Sequence, residues 1–302
     1  MEIALVELEE LSLHEEVDPG VLDRLIQEID DDGTLWCPIV VDKQSMVVLD
    51  GTHRVHALRT LGCKYVCVYL VDYSDPEIEV ERWFRAIPKH LPKEKAEEVA
   101  RDLGMVLIPL DSSGVKEIGY PVIRLSDGCS LALAPRPDSI QCHDTMRGFE
   151  SRLQAMGYDM DYDTERDAEE RLERCVVSVI LQPPALEKEQ VVSSAVQGHA
   201  LSCKATRHII PGRPVGVDIP LTLLKNHEIS LEEANKRLSA LIERKTTEDM
   251  PPGTHWRGRR YDDHARIFTD GTDHETAAIP GYANPTSTEL RRSLSGERAP
   301  PG

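Results

Sequence analysis

One stretch of the sequence, VVLDGTHRVHAL at residues 47–58, decides the fold of the N-terminal part of the chain. An apolar run ends at Asp50-Gly51, and a helical pattern begins directly after it. We therefore expect a strand, a tight turn and the first turn of a helix. The first backbone N–H groups of a helix have no partners within the helix, and the helix dipole adds positive charge there. The turn is thus a candidate phosphate-binding site, to which His53 and Arg54 add side-chain donors.

The same turn also has an ordinary structural interpretation. Asp-Gly turns are common before helices, and an exposed Arg54 beside a helix-facing His53 needs no ligand to explain it. Judged alone, the stretch slightly favours a structural junction over a phosphate site. Other parts of the chain are needed to distinguish the two interpretations.

Length and composition indicate a globular chain. Its 302 residues, 40% of them hydrophobic, suffice for one large core or two modest ones. No apolar run approaches the roughly 20 residues needed to cross a bilayer, and the acidic start MEIA is unlike a signal peptide. Seven cysteines without CxxC spacing are typical of reduced thiols. We therefore expect a cytoplasmic protein with no membrane partner and no zinc site.

The negative charge is unevenly distributed along the chain. The net charge is −18, yet residues 250–302 hold seven arginines and seven acidic residues, so the whole excess lies in 1–249. Such an acidic body repels the phosphate backbone of nucleic acids. We expect no nucleic-acid partner, and the lack of clustered carboxylates also makes a nuclease a weak hypothesis.

Local signals predict a compact α/β unit in residues 1–90. Asp18-Pro19 is typical of a helix start, and Gly33 of a helix end. Asp75-Pro76 indicates another helix that carries Trp83 on an amphipathic face. The remaining predicted elements of this unit are strands at 3–8, 39–42, 46–49 and 65–71 and a helix at 52–61, the middle two strands forming a hairpin.

The rest of the chain predicts a second α/β lobe at 91–248 and a flexible tail at 249–302. The lobe contains predicted helices at 93–103, 145–156, 165–172, 186–195 and 230–244, and predicted strands at 105–110, 121–125, 131–133 and 175–181. From residue 250 onward, six prolines, six glycines and few branched aliphatic residues give no periodicity. That composition is typical of a disordered segment.

Five short stretches together resemble a known family. They are His14-Glu15, Trp36-Cys37-Pro38, the DGTHR turn at 50–54, Trp83 and the TRHIIP segment at 206–211. They occur in the order and approximate spacing of the free serine kinases of the ParB/sulfiredoxin-like superfamily. The pairing of the turn with a distant TRHIIP segment is specific, and the resemblance extends from about residue 11 to 224. It implies an α/β fold with a ParB/sulfiredoxin-like N-terminal lobe, a second α/β lobe and a disordered C-terminal tail.

The resemblance implies an enzyme that phosphorylates the hydroxyl of free L-serine, with ATP or ADP as donor and Mg²⁺ as cofactor. Glu15 would be the general base, and Asp50 would assist through the metal or the substrate. Trp83 and His14 would line the serine pocket. The residues that would bind the nucleotide phosphates are Gly51, Thr52, His53, Arg54, Thr206, Arg207 and His208. No dedicated set of metal ligands is visible, and nothing in the sequence indicates an oligomeric state.

One residue of the turn departs from the family pattern. Thr52 stands where the family commonly has histidine; its hydroxyl can donate to a phosphate oxygen but carries no charge. Sulfiredoxins need a cysteine at this position, so their chemistry is not expected here. ParB proteins add a basic helix-turn-helix region, which this acidic chain lacks.

A rival hypothesis is a regulatory protein that senses a nucleotide or metabolite without turnover. Thr52 is compatible with that hypothesis. Glu15 and Trp83 argue against it, because a sensor of nucleotides needs neither a base nor a wall for an amino acid.

Overall fold

The computed structural model describes residues 1–110, 119–135, 145–257, 259–261 and 263–270. Two compact units alternate along the chain. Unit 1 comprises Met1–Val80, Glu187–Cys203 and the described residues of 208–283; unit 2 comprises the described residues of 81–186 and Lys204–Arg207. The sequence put its boundaries at residues 90 and 248, whereas unit 1 also includes chain from residue 187 onward. Both units mix helices and strands, which confirms the predicted α/β class.

Unit 1 is built on a five-stranded mixed sheet with strand order β1-β6-β4-β5-β2. The strands are β1 (Glu2–Glu7), β2 (Ser12–Leu13), β4 (Ile39–Asp42), β5 (Val47–Asp50) and β6 (Tyr65–Val71), with α1 (Pro19–Asp32) and α2 (Thr52–Thr60) connecting them. Strand β4 pairs antiparallel with β5, as the predicted hairpin requires, and parallel with β6. A short 3-10 helix, Leu8–Glu10, follows β1, and β3 (Thr34–Leu35) follows α1.

Helix α1 forms where its capping residues predicted it. The Asp18 carboxylate accepts the backbone N–H of Val21 at 2.9 Å, and Pro19 occupies the first turn, where its missing N–H costs no bond. The helix ends at Gly33, whose φ of 62° favours glycine. The apolar face of α1 packs on the core of unit 1, which also includes Leu58, Leu224 and Leu238.

The C-terminal part of unit 1 adds further elements. They are α6 (Lys188–Val196), β15 (Arg213–Val215), β16 (Ile219–Pro220), α7 (Leu221–Leu224), α8 (Leu231–Ile242), β17 (Lys245–Met250), β18 (Thr254–Trp256), β19 (Arg259–Tyr261) and β20 (Ala265–Asp270). Strand β16 pairs with β3, β18 pairs with β19, and a three-stranded sheet has the order β15-β20-β17. Helix α8 begins at the predicted cap, since the Ser230 hydroxyl accepts the Glu233 N–H.

Unit 2 contains a six-stranded antiparallel sheet with order β12-β8-β13-β10-β11-β9. Its strands are β8 (Phe84–Ile87), β9 (Met105–Leu110), β10 (Val122–Leu125), β11 (Ser130–Pro135), β12 (Asp161–Asp163) and β13 (Val179–Gln182), and its helices are α3 (Lys93–Asp102), α4 (Thr145–Ala155) and α5 (Glu165–Glu173). Two strands, β7 (Glu79–Glu81) and β14 (Arg207–Ile209), lie where the chain passes from one unit to the other.

None of the described helices is both long enough and apolar enough to span a membrane. The longest described helix, α1, has 14 residues.

The helix predicted after Asp75-Pro76 is wrong, because this segment forms β7 and β8 instead. Trp83 therefore lies in the connection between two strands and not on a helix face. Strand β8 lies between β12 and β13, and all its residues are fully buried. Val80, Trp83 and Phe84 recur at helical spacing, but β7 and β8 form by pairing with strands distant in sequence, which periodicity alone does not reveal.

The flexible tail predicted from residue 249 is wrong for 249–270, where the end of β17 and strands β18, β19 and β20 lie. Strand β20 pairs antiparallel with β17 and parallel with β15. Phe268 joins the main core of unit 1. These strands depend on partners distant in sequence, so local composition did not reveal them. The remainder of the predicted tail, 271–302, lies outside the described residues.

Replacing Gly216 by alanine is expected to destabilise unit 1 more than the same change at Gly212. Both glycines flank β15 with nearly equal φ values, 74° and 71°. A Cβ at Gly216 would lie 2.7 Å from the Phe268 carbonyl oxygen and 2.8 Å from the Trp256 ring, whereas one at Gly212 would meet no atom within 4 Å. In urea denaturation we expect Gly216→Ala to lower the free energy of unfolding by about 2–4 kcal/mol and Gly212→Ala by about 1 kcal/mol. Equal losses would contradict this packing.

Candidate active site

The predicted strand, turn and helix at residues 47–58 are confirmed. Strand β5 ends at Asp50, and Gly51, the residue directly before α2, has a φ of 112°, a conformation that favours glycine. No side chain caps the first turn of α2. A Cβ at Gly51 would also approach Nη2 of Arg54 to 2.9 Å. The turn therefore presents an uncapped helix N-terminus beside a guanidinium, which is a suitable environment for an anion.

The Asp50 carboxylate holds two guanidinium groups. Its Oδ2 accepts a hydrogen bond from Nη2 of Arg54 at 3.0 Å and another from Nη1 of Arg213. Nη1 of Arg54 also donates to the backbone oxygens of Cys37 and Pro38, at 2.9 and 3.0 Å. The Trp36-Cys37-Pro38 motif thus supports the turn through its carbonyl groups. Arginine has more N–H donors than these bonds use, so both side chains retain capacity for a phosphate.

Arg213 connects the turn to the TRHIIP segment. Its Nη2 donates to the backbone oxygen of His208 at 3.3 Å and lies 3.8 Å from a carboxylate oxygen of Asp263. Its side chain is only 12% exposed. A guanidinium held by two carboxylates and a carbonyl group has few alternative orientations, so Arg213 is a fixed positive charge at this site.

His53 joins the two helices of the N-terminal region. Its Nε2 accepts the backbone N–H of Asp18 at 3.0 Å, at the residue that caps α1. The Nε2 atom that accepts this bond carries no proton, so any donation by this ring is from Nδ1. Thr52, directly before it, is buried.

His14 and Glu15 lie together beside β5. The His14 ring is buried, with its side chain 1% exposed, and Nδ1 lies 2.7 Å from the backbone oxygen of Val48. Its other nitrogen, Nε2, lies 3.6 Å from Oε1 of Glu15. Leu201 binds the backbone on both sides of Glu15: its N–H donates to the His14 carbonyl at 2.7 Å, and its carbonyl accepts the Glu16 N–H at 2.9 Å.

His208 is a second buried histidine of the same unit. Its Nε2 lies 2.8 Å from the Tyr73 hydroxyl, and its ring is edge-on to the His14 ring with 5.7 Å between centroids. Burial, reinforced by His14 and Arg213, lowers the pKa of His208 to about 3. Burial also raises the pKa of Tyr73 above its ordinary value. Both groups of this hydrogen bond are therefore neutral at neutral pH.

In unit 2, Trp83 lies close to two cationic side chains. Nζ of Lys204 is 5.2 Å from the ring centroid, and the guanidinium carbon of Arg207 is 5.6 Å from it. Arg207 also pairs with the Glu81 carboxylate. The Trp83 ring therefore lies beside two positively charged side chains, an arrangement suited to an anionic ligand. Thr206 is buried next to Arg207 in the chain.

Comparison with known proteins identifies relatives over most of the chain. No protein-family model matches. An ATP-dependent L-serine kinase of Staphylothermus marinus is 27% identical over 238 residues, which cover 74% of this chain and 92% of that protein. An ADP-dependent L-serine kinase of Thermococcus kodakarensis is 24% identical over 229 residues, covering 73% and 92%. The chain is thus similar to free L-serine kinases over nearly three quarters of its length.

A solved structure gives the fold of the free serine kinases for comparison. The structure of a free serine kinase in complex with AMP is 22% identical and superposes with a TM-score of 0.64, covering 74% of this chain and 94% of that one. At this identity the likeness establishes the fold. The fold class expected from the sequence is therefore confirmed, and the L-serine kinases that match nearly three quarters of the chain bear out the resemblance to that family.

The residues that carry the resemblance to free serine kinases fall into two groups. Unit 1 contains His14, Glu15, Asp50, the Gly51–Arg54 turn and His208. Unit 2 contains Trp83, Thr206 and Arg207. Their individual roles remain predictions.

Two residues of this region were not predicted from the sequence. Arg213 follows His208 by five residues, and the continuation of the TRHIIP segment by a second arginine was a signal that could have revealed it. Tyr73 has no such signal. Only the fold brings its hydroxyl to His208, 135 residues away in sequence.

A dedicated metal cage is not evident in the part of the chain that the structure describes. No group of three or more histidine, cysteine, aspartate or glutamate residues there could hold a metal ion. Nucleotide-bound Mg²⁺ usually takes only one or two protein carboxylates, with phosphate oxygens and water as the other ligands. The Asp50 carboxylate, 31% exposed beside the turn, fits that limited requirement.

His208 is expected to make stability depend on pH. It has an ordinary pKa of 6.5 when unfolded and about 3 when folded, so between these values the unfolded chain binds the extra proton and stability falls as pH falls. Between pH 7 and pH 5 the free energy of unfolding of the wild type should fall by about 2 kcal/mol more than that of His208→Gln, because a glutamine side chain takes up no proton in this range. Urea denaturation of both proteins at the two pH values measures this difference. Equal losses would mean that His208 is not held neutral by the fold.

Proposed function

We propose that this chain is a kinase that transfers a phosphoryl group from ATP or ADP to the hydroxyl of free L-serine and forms O-phospho-L-serine. The observation that carries the proposal is the uncapped N-terminus of α2, with Arg54 and Arg213 both held on Asp50, in the unit that also contains Glu15. Relatives named as L-serine kinases support it, because they match nearly three quarters of the chain.

Phosphoryl transfer requires in-line positioning, neutralisation of phosphate charge and an acceptor for the hydroxyl proton. The N–H groups of the turn from Gly51 to Arg54 would bind the phosphates. Arg54 and Arg213 would supply positive charge, oriented by Asp50. Both side chains are largely buried, at 16% and 12% exposure, so little rearrangement would be needed on binding.

Glu15 would act as the general base. As the serine oxygen forms its bond to phosphorus and the bond from phosphorus to the leaving nucleotide oxygen breaks, the hydroxyl proton passes to the Glu15 carboxylate. That carboxylate is 13% exposed, and the backbone on both sides of it is hydrogen-bonded to Leu201. These features favour a fixed base that water reaches only in part.

The resemblance assigns to residues of unit 2 the binding of the amino acid and of phosphate oxygens. We propose that Trp83 forms a wall of the serine pocket. Its cationic neighbours, Lys204 and Arg207, suit the carboxylate of free serine or a phosphate oxygen. Thr206 and His208 would contribute further contacts to the phosphates, as the resemblance implies.

Mg²⁺ would neutralise charge on the nucleotide phosphates, and Asp50 is the protein group that would hold it. We propose that the protein acts in the cytoplasm on these small molecules, without nucleic acid. The donor is left as ATP or ADP, since relatives of both kinds match the chain.

The proposed reaction is tested by incubating the purified full chain with L-serine, Mg²⁺ and either ATP or ADP. We expect O-phosphoserine, detected by mass spectrometry, with at least one donor, and loss of the product when EDTA removes the metal. A panel of other hydroxyl-bearing amino acids defines the specificity. Nucleotide binding without product on any acceptor would contradict the kinase and favour the sensor hypothesis.

Replacing Glu15 by glutamine is expected to lower kcat by about 10²-fold or more, because the amide cannot accept the hydroxyl proton. Nucleotide affinity, measured by calorimetry, should change little, since no phosphate ligand is lost. Glu16→Gln is the matched control, because it makes the same chemical change at the adjacent residue. Full activity of the Glu15 variant would show that another group is the base.

A further inference from the structure

The contact between His14 and Glu15 indicates a role for His14 other than lining the serine pocket. We propose that His14 is the proton acceptor behind Glu15: the proton that Glu15 takes from the substrate hydroxyl passes on to Nε2 of His14. This inference rests on the proposed kinase function. It makes His14 a positioning and proton-holding residue for the base.

The tautomer of His14 is fixed by the sheet. A backbone carbonyl oxygen can only accept a hydrogen bond, so the 2.7 Å contact with the Val48 oxygen requires a proton on Nδ1. A neutral His14 therefore has its lone pair on Nε2, the atom that faces Glu15. Val48 belongs to β5, the strand that leads into the phosphate-binding turn.

The position of Glu15 makes Nε2 of His14 a suitable acceptor for one proton. An ionised carboxylate and an unprotonated imidazole nitrogen are both acceptors, so they attract each other only when a proton lies between them. Their separation of 3.6 Å is within ion-pair range but longer than a hydrogen bond. A small approach of the two groups during the reaction would therefore let the proton pass.

The neighbouring groups leave His14 as the better proton acceptor of the two buried histidines. His208 faces the His14 ring, but burial and the charge of Arg213 keep it neutral, and its Nε2 is engaged by Tyr73. The Asp50 and Glu15 carboxylates act to raise the pKa of His208, whereas Arg213 acts to lower it. Glu189 of α6 adds negative charge near the Tyr73 hydroxyl and helps to raise the pKa of Tyr73. His14, in contact with the Glu15 carboxylate, is the ring whose protonation that carboxylate stabilises directly.

The proton balance of the step is complete within the site. The serine oxygen gains its bond to phosphorus, and the nucleotide oxygen leaves with the electron pair of the bond that breaks. The hydroxyl proton moves to Glu15 and then to Nε2 of His14, which gives an imidazolium paired with a carboxylate. Water takes the proton after the product leaves. Because a protonated pair cannot accept another proton, the reaction slows when the pair is protonated at low pH.

The first test is the pH dependence of kcat in His14→Asn. The asparagine amide can still donate to Val48, but it provides nothing in place of Nε2. We expect kcat at high pH to fall roughly tenfold and the acidic limb of the profile to move down by about one pH unit or more, as Glu15 titrates without its partner. The KM for nucleotide should be unchanged. His227→Asn, the same change at an exposed histidine of unit 1, should keep the wild-type profile. An unchanged acidic limb in His14→Asn would overturn the proposal.

The second test does not depend on turnover or on folding of the His14 variant. In protein labelled with ¹⁵N-histidine, we expect the neutral His14 ring to carry its proton on Nδ1, because the Val48 carbonyl oxygen accepts it. In Glu15→Gln the Nε2 signal of His14 should shift, because the carboxylate that faces this atom is gone. A proton on Nε2 of the neutral ring, or an Nε2 signal that Glu15→Gln leaves unchanged, would overturn the proposal. If the wild type makes no phosphoserine, the kinase function fails, while these spectra still test the His14–Glu15 pair.

Discussion

The ion pairs of the Asp50 carboxylate with Arg54 and Arg213 are the interactions on which the site of unit 1 depends. Through them one carboxylate at the end of β5 fixes two guanidinium groups, and these in turn bind the carbonyl oxygens of Cys37, Pro38 and His208. Three segments distant in sequence are thereby joined at one turn. Hydrogen bonds to charged groups contribute about 1.5–3 kcal/mol each, and more is lost when a partly buried partner is left unpaired. Without Asp50, Arg54 and Arg213 would lose the carboxylate that they share, and only Arg213 would keep an acidic neighbour, Asp263, among the ion pairs described.

This arrangement explains how the proposed phosphate site can lie on a strongly acidic chain. The net charge of −18 disfavours polyanions that cover a broad surface. Within the turn, however, the positive end of α2 and two largely buried guanidiniums act at short range, where solvent screens them less. A small ligand that reaches the turn is governed by these local charges. The balance of charges thus favours a compact phosphate group over a nucleic-acid backbone.

The two buried histidines illustrate how the fold gives the same side chain different properties. His208 is held neutral and engaged by the Tyr73 hydroxyl, so it serves as a fixed polar contact. His14 is held by the Val48 carbonyl with its second nitrogen directed at a carboxylate. Burial lowers the pKa of His208, whereas Nε2 of His14 lies 3.6 Å from the Glu15 carboxylate. The two rings therefore differ in their polar partners, although both are buried.

The sequence by itself determined the elements whose signals are local. The Asp18 cap and Gly33 end of α1, the β4–β5 hairpin and the Asp50-Gly51 turn are specified by neighbouring residues, and the family motifs fixed the residues expected at the site. The tertiary structure alone decided what depends on distant partners: the burial of β8, the pairing of β20 with β15 and β17, and the bond between Arg213 and Asp50 across 163 residues. Capping and turn energies act within a few residues and can be read from the sequence. Burial and ion pairing depend on which segments meet, and only the folded chain sets that.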